Sequence, residues 1–216
     1  MPELSFHIED AASVAFAAAP TLAFGLRVKN AVAGQKIHTI ALRCQLQIEV
    51  TRRQYSREEK ELLRDLFGPP EQWSRTLRDM LWTQASVVVP QFVGETTVAL
   101  QVPCTFDFNV AATKLFHALA SGDIPLCFQF SGTVFYRDHE EALQVSPIPW
   151  DREARFKLPV KVWQELIDHY YPNSAWLCLR RDVFDRLYQY KVEQGIPTWE
   201  QALEKLLRPV HDEVLS

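Results

Sequence analysis

A chain of 216 residues with 47% hydrophobic and 23% charged side chains suits one large domain, or one domain with an extension, and can bury a core without disulfide staples. Its formal net charge of −4 argues against nucleic acid as the partner, because a phosphate-binding face needs a basic surplus. The apolar run from Ala11 to Leu26 follows Glu9 and Asp10, is broken by Pro20 and is shorter than a bilayer span, so a soluble, cytoplasmic protein is expected.

Leu4, Phe6 and Ile8 alternate with Ser5, His7 and Glu9, the signature of a short edge-type strand. Leu22, Phe24, Leu26 and Val28 alternate again, and Asn30 to Gly34 supplies turn chemistry. A long strand follows, with Ile40, Leu42, Cys44, Leu46, Ile48 and Val50 facing inward. Arg43, Gln45, Gln47 and Glu49 face outward, as in a sheet wetted on one side.

The period then changes. Ser56 with Glu59 three residues on forms a capping box, and Leu62, Leu63, Leu66 and Phe67 follow at helical spacing until Gly68. After Pro69 and Pro70, a second helical segment is expected to carry Trp73, Leu77, Met80 and Leu81 on one face. This insertion, from Tyr55 to Trp82, either covers an open end of the sheets or offers Trp73 and Trp82 to a partner, since such aromatics often anchor interfaces.

The strongest pattern spans Phe92 to Tyr136. Val98, Leu100, Val102, Cys104, Phe106 and Phe108 occupy one phase of a first strand, and Leu126, Phe128, Phe130, Gly132, Val134 and Tyr136 one phase of a second. Between them, Asn109 is placed to cap a helix whose apolar side is Leu115, Phe116 and Leu119, ended by Gly122. Leu143, Val145 and Ile148 lead to Pro149, Trp150 and Asp151, after which Phe156 and Leu158 mark a last strand.

From Pro159 onward the chain turns helical. Val162, Trp163, Leu166, Ile167 and Tyr170 mark one helix, stopped by Pro172, and Ala175 to Leu179 reads as an added strand. Asp182 is expected to cap a helix bearing Phe184, Leu187 and Tyr188, closed by Gly195. Thr198 with Gln201 is expected to make another capping box, for a final one using Leu203, Leu206 and Leu207. The expected organisation is a β-sandwich over 1–160, its helical insertion at about 55–82, and a mainly helical extension over 161–216 packed on it.

No motif for chemistry emerges. Cys44, Cys104, Cys127 and Cys178 are too far apart for a zinc or redox motif and read as free, buried thiols of a reducing compartment. The seven glycines form no phosphate-wrapping loop. Ser131 before Gly132 lies inside a strand pattern, not in a nucleophile elbow. His7, His38, His117, His139, His169 and His211 are scattered, and Asp168 beside His169 points a different way on its helix. The acid pairs Glu58–Glu59 and Glu140–Glu141 read as solvated faces, and Arg52 with Arg53 as part of a local ion-pair cluster. No catalytic, cofactor-binding or metal-binding residue is assigned.

Two resemblances carry further expectations. Leu22 to Asn30, Thr97 to Pro103 and the run Leu126 to Gly132 resemble the water-stress and hypersensitive-response domain of late-embryogenesis proteins, a fibronectin-like sandwich. Closer is a bacterial family of unknown function, DUF6084, similar through Ala41-Leu-Arg-Cys-Gln, Leu66-Phe-Gly with Trp73, Leu81-Trp-Thr, Val102-Pro-Cys-Thr-Phe-Asp-Phe and Phe130-Ser-Gly-Thr-Val-Phe. The similarity continues through Ile148-Pro-Trp, Leu158-Pro-Val, Tyr171-Pro-Asn-Ser and Pro197-Thr-Trp. That resemblance implies a gene neighbourhood near nickel–iron hydrogenases, and hence an accessory role.

The expected fold is therefore an immunoglobulin-like or fibronectin-like antiparallel sandwich with added helices, and the expected function a non-enzymatic binding or accessory protein. Its candidate partner surface is Trp73, Trp82, Trp150, Tyr170 and Tyr171. The partner is a protein, a hydrogenase component being the one the resemblance implies. The alternative is an enzyme whose site forms between sandwich and extension, around Trp150, Asp151, Tyr170 and Tyr171. A ligand carrier is disfavoured because large inward residues fill the core, and exposed edge strands leave self-association open.

Overall fold

The structure, a computed structural model, describes residues 1–107, 109–138 and 140–208; the readings made for Phe108, His139 and His211 lie outside the described residues. Strands β1 (Leu4–Ser13), β2 (Thr21–Asn30) and β3 (Lys36–Ile48) come first. A short 3-10 turn and helices α1 (Arg57–Leu62), α2 (Arg64–Phe67) and α3 (Trp73–Thr76) follow. Next are β4 (Met80–Val89), β5 (Phe92–Val93), β6 (Glu95–Pro103), helix α4 (Val110–Ala118), β7 (Asp123–Arg137), β8 (Leu143–Pro147) and β9 (Glu153–Pro159). Helices α5 (Val160–Tyr170), α6 (Arg181–Glu193) and α7 (Trp199–Leu207) complete the chain.

The strands make two antiparallel sheets. One runs β1-β2-β6; the other runs β4-β3-β7-β8, with β5 on β3 and β9 on β7. Strict alternation puts one phase of each strand into a shared apolar core: Leu22, Phe24, Leu26 and Val28 from β2, and Ile40, Leu42, Cys44, Leu46 and Ile48 from β3, are all buried. Phe6 of β1 stacks on Phe130 of β7 at 4.5 Å, and Phe24 of β2 meets Phe128 edge-on at 5.0 Å, so rings of the two sheets interlock. Each such side chain contributes about 1.5–3 kcal/mol on burial.

Gly132 shows how tightly the central ladder is drawn. It pairs with Leu42 at φ 138°, and a Cβ there would lie 2.1 Å from the carbonyl oxygen of Ala41. Only glycine fits.

The helical insertion differs from its sequence reading beyond α1. The capping box of Ser56 and Glu59 is present, but the second apolar segment is helical for Trp73–Thr76 only. Met80 and Leu81 already belong to β4, where pairing with Ile48 and Gln47 of β3 overrides helical spacing. The long strand that begins at Glu95 likewise stops at Pro103. Cys104 stays buried, its N–H bonded to Pro20 O at 2.8 Å, while the chain turns toward α4.

The chain divides into two compact units, Met1–Ser174 and Ala175–Ser216. Helix α5 belongs to the first: Val160, Trp163, Leu166 and Ile167 are buried, and Trp163 meets Phe116 of α4 edge-on at 5.3 Å. In the second unit, Ala175–Leu179 is not a strand but an irregular segment. Arg180 is the N-cap of α6, and Asp182 lies in the first turn, paired with Arg180 at 3.1 Å instead of capping. Thr198 caps α7, accepting the Gln201 N–H at 3.2 Å, but as a one-way cap and not the capping box expected.

Candidate binding surfaces

Three groupings of side chains have the chemistry to be more than packing. The first is a buried ion pair that closes the insertion onto the sheet. Glu59, in the first turn of α1, accepts N–H bonds from Ser56 (2.9 Å) and Ala120 (3.0 Å), and Arg53 Nη2 at 2.7 Å. Arg53 also donates to Ser121 O at 2.6 Å and Asp123 O at 2.5 Å. Burial opposes ionisation of Glu59, but the two backbone N–H groups and the guanidinium outweigh it and hold the carboxyl below its ordinary range. Both carboxylate oxygens are taken by the chain's own donors, so Glu59 is part of a structural clasp and not of the solvated face expected for the Glu58–Glu59 pair.

The second is an open cleft of about 470 Å³ at the end of β3. Glu49, 6% exposed, lies 3.2 Å from Arg52 Nε and 3.2 Å from Arg155 Nε. Arg155 also reaches Glu153 at 2.7 Å, and Lys157, Pro125 and Phe156 line the opening. Beside it, Cys127 Sγ lies 3.7 Å from Glu153 Oε2. Burial first, then the carboxylates of Glu153 and Glu49, push the Cys127 thiol up to about 11, and burial takes Cys104 to about 12. Cys44 is raised still further by the same cause. Burial thus favours the thiol form of all three over the thiolate.

The third is an aromatic surface on the helical unit. Phe184 and Tyr188, one turn apart on α6, stack at 6.5 Å, and Trp199 at the start of α7 closes on them at 5.4 and 6.1 Å. Lys191 Nζ sits 5.4 Å from the Trp199 ring centre, and Lys205 donates to Gln194 at 2.7 Å, joining α7 to the end of α6. Phe184 and Tyr188 remain 44% and 52% exposed. Neighbouring exposed aromatics of this kind are the usual anchors of protein interfaces.

The residues expected to form a partner surface fall into different environments. Trp82 is a core residue, edge-on to Phe24 and Phe116. Trp73 is half-buried against Tyr55 and Phe67, its indole N–H donated to Gly68 O at 2.9 Å. Trp150 is 93% exposed in the bend before β9, and the adjacent Asp151 is exposed with Oδ1 3.9 Å from Arg152 Nε. Tyr170 is half-buried and donates its hydroxyl to Ala17 O at 2.8 Å, and Tyr171 is half-buried beside it.

Ser131 is exposed within β7, and His117 lies against Trp163 at 4.8 Å, its pKa lowered by burial against the pull of Asp168. The Phe184–Tyr188–Trp199 cluster was not singled out from sequence. Its trace was the i, i+4 spacing of two rings, which reads equally well as helix packing. Among the described residues no group of three or more His, Cys, Asp or Glu side chains is placed to hold a metal ion, and no helix is long and apolar enough to cross a membrane.

The sequence profile of a family of unknown function, DUF6084, matches residues 1–214. No curated protein matches the chain. Among solved structures, a late embryogenesis abundant (LEA) protein is similar at 17% identity and a TM-score of 0.32, over 74% of this chain and 72% of that one. The ApaA protein from Bordetella pertussis is similar at 12% identity and a TM-score of 0.24, over 73% of this chain and 93% of that one.

Proposed function

The chain belongs to DUF6084, a family of unknown function, and we propose that it is a non-enzymatic binding or accessory protein that docks a protein partner through α6 and α7. The observation that carries this reading is the ring cluster in which the exposed Phe184 and Tyr188 pack on the half-buried Trp199. Rings held against one another lose little side-chain freedom on docking, so their apolar area favours association at small entropic cost. The gene neighbourhood implied by the family resemblance makes a component of a nickel–iron hydrogenase the first partner to test. Free cysteines fit a cytoplasmic setting. The two sheets, sharing one core and approaching each other along β1–β9 and β4–β6, support an immunoglobulin-like or fibronectin-like sandwich as the scaffold.

The test is affinity capture of the tagged full chain from native cells, followed by mass spectrometry, alongside the double variant Phe184→Ser/Tyr188→Ser. A reproducible partner with the parent chain that is lost with the variant is the expected result. Recovery of the same partner by both chains removes α6 and α7 as the docking surface, and recovery of none by either removes the binding role.

A further inference from the structure

The hydrogen-bonding direction of β8, the short strand at one side of β7, can be read from the two bonded pairs that bracket it. Asp138 N–H donates to Ala142 O at 3.1 Å, and Ile148 N–H donates to Gly132 O at 2.9 Å. Bonded pairs recur every second residue in an antiparallel ladder. Gln144, opposite Tyr136, and Ser146, opposite Val134, therefore turn their N–H and C=O groups toward β7, while Leu143 and Val145 turn theirs away. The side chains of Leu143 and Val145, opposite Arg137 and Phe135, lie on the outer face of the sheet and are 56% and 59% exposed.

Among the described residues, no strand pairs with the outer edge of β8. Natural sheet edges are blunted against pairing with another chain by short strands, lysine, proline, a bulge or a covering element; β8 is short and ends in Pro147, but Leu143 to Ser146 carry neither lysine nor proline. Elsewhere the two sheets meet along their margins, β1 against β9 and β4 against β6. Met1 to Leu4 share a small cleft with Val134 and with Ser146 to Pro149, at the C-terminal end of β8. The strand Leu-Gln-Val-Ser-Pro has no charged residue, and its one proline is the last position. Its entry is fixed by Asp138, whose carboxylate accepts Glu140 N–H at 2.9 Å, Ala142 N–H at 3.0 Å and the Gln144 amide at 2.8 Å. The strand is thus held extended before any partner arrives.

We propose that β8 pairs antiparallel with β8 of a second copy of this chain, about a two-fold axis at Gln144. In that register Leu143 of each copy faces Val145 of the other, and both exchange N–H and C=O groups. All four outward backbone groups of Leu143 and Val145 are then satisfied in both copies. The four side chains come together on the outer face, and neutral amide meets neutral amide at the axis. Glu141 falls opposite Pro147 rather than opposite its own copy, so no like charges are forced together. Self-pairing also consumes the edge in both chains at once, which closes the assembly at a dimer.

Sedimentation of the full chain from micromolar to a few hundred micromolar tests this, with Val145→Lys and Val145→Pro as variants. Proline removes an outward N–H and leaves the bonds to β7 in place. The expected result is a concentration-dependent dimer whose dissociation constant rises about ten-fold or more in either variant, with an unchanged melting temperature at concentrations where the parent is monomeric. If Val145→Pro misfolds, Val145→Lys decides. The register is read in a Cys178→Ser background: Gln144→Cys places two thiols in a facing non-bonded pair, where Cα atoms about 4.5 Å apart permit a disulfide. It should cross-link under mild oxidation, and Leu143→Cys should not. A chain monomeric at every concentration, a dimer indifferent to Val145→Lys, or cross-linking of Leu143→Cys in preference to Gln144→Cys each overturns the proposal.

Discussion

The two units of this protein solve the problem of burial in opposite ways. In Met1–Ser174, strands far apart in sequence share one apolar core, and even its polar clasp, Arg53 with Glu59, is about nine-tenths buried. In Ala175–Ser216, two helices carry an aromatic contact at their crossing, Ala202 is the buried residue of α7, and α6 has none among its described residues. Shape in the first unit is set by long-range pairing, and in the second by local caps and a few rings. A unit with so little core draws its stability from helix termini and from the contact among its rings.

That contrast can be broken most severely at Gly132. Gly132→Ala should cost about 4 kcal/mol or more, combining strain at positive φ with overpacking against Ala41 O. Thermal unfolding followed by far-ultraviolet circular dichroism should show the β signal lost at a much lower temperature. A melting point near that of the parent would mean that β3 and β7 are not drawn together as described.

Next in size is the clasp. Glu59→Gln should lower stability by about 3–5 kcal/mol at neutral pH, because Arg53 is left buried without its counter-charge. The carboxyl's folded pKa is depressed below its ordinary value, so its contribution is complete above the ordinary carboxylate range and is lost as pH falls through the folded value. Urea titrations from pH 7 to pH 3 (chosen about the ordinary carboxylate range) should show the parent and the variant converging at the acid end. Parallel curves would place the stabilisation elsewhere.

A smaller effect is expected at Asn109. This residue caps α4 through the Ala112 N–H at 3.0 Å and donates its amide to Leu81 O and Trp82 O at 3.1 and 2.9 Å. Asn109→Ala should cost about 1–2 kcal/mol in denaturant unfolding, the upper part reflecting the carbonyls left without a donor. The mildest change sharpens the comparison from the other side. Thr198→Ala should cost about 1 kcal/mol and only within the helical unit. Amide exchange should accelerate in α7 and stay unchanged in β3 and β7, and a uniform acceleration would mean that the two units unfold as one.

Much of the scaffold was legible in the residues themselves. Alternation in β2, β3 and β7, the Ser56–Glu59 capping box and the Asn109 cap are short-range signals, each read within a few positions of where it acts. Failures came where distant pairing competed with local spacing. Met80 and Leu81 look helical beside Trp73, yet the free edge of β3 recruits them into a strand. Ala175–Leu179 looks like a strand, yet it remains irregular. The surface aromatics followed the same rule: no periodicity distinguishes Trp82, enclosed by Phe24 and Phe116, from Trp150, left in solvent.

The order of side chains alone determined that this protein is mainly β, which phase of each long strand faces inward, and where several helices begin, because a pleat and a cap are defined by neighbours along the chain. Tertiary structure decided which polar groups are enclosed together, which rings remain exposed and which strand is left at a bare edge. Those properties depend on what approaches from elsewhere in the chain, as when Ala120 and Ser121 close over Glu59 and Arg53.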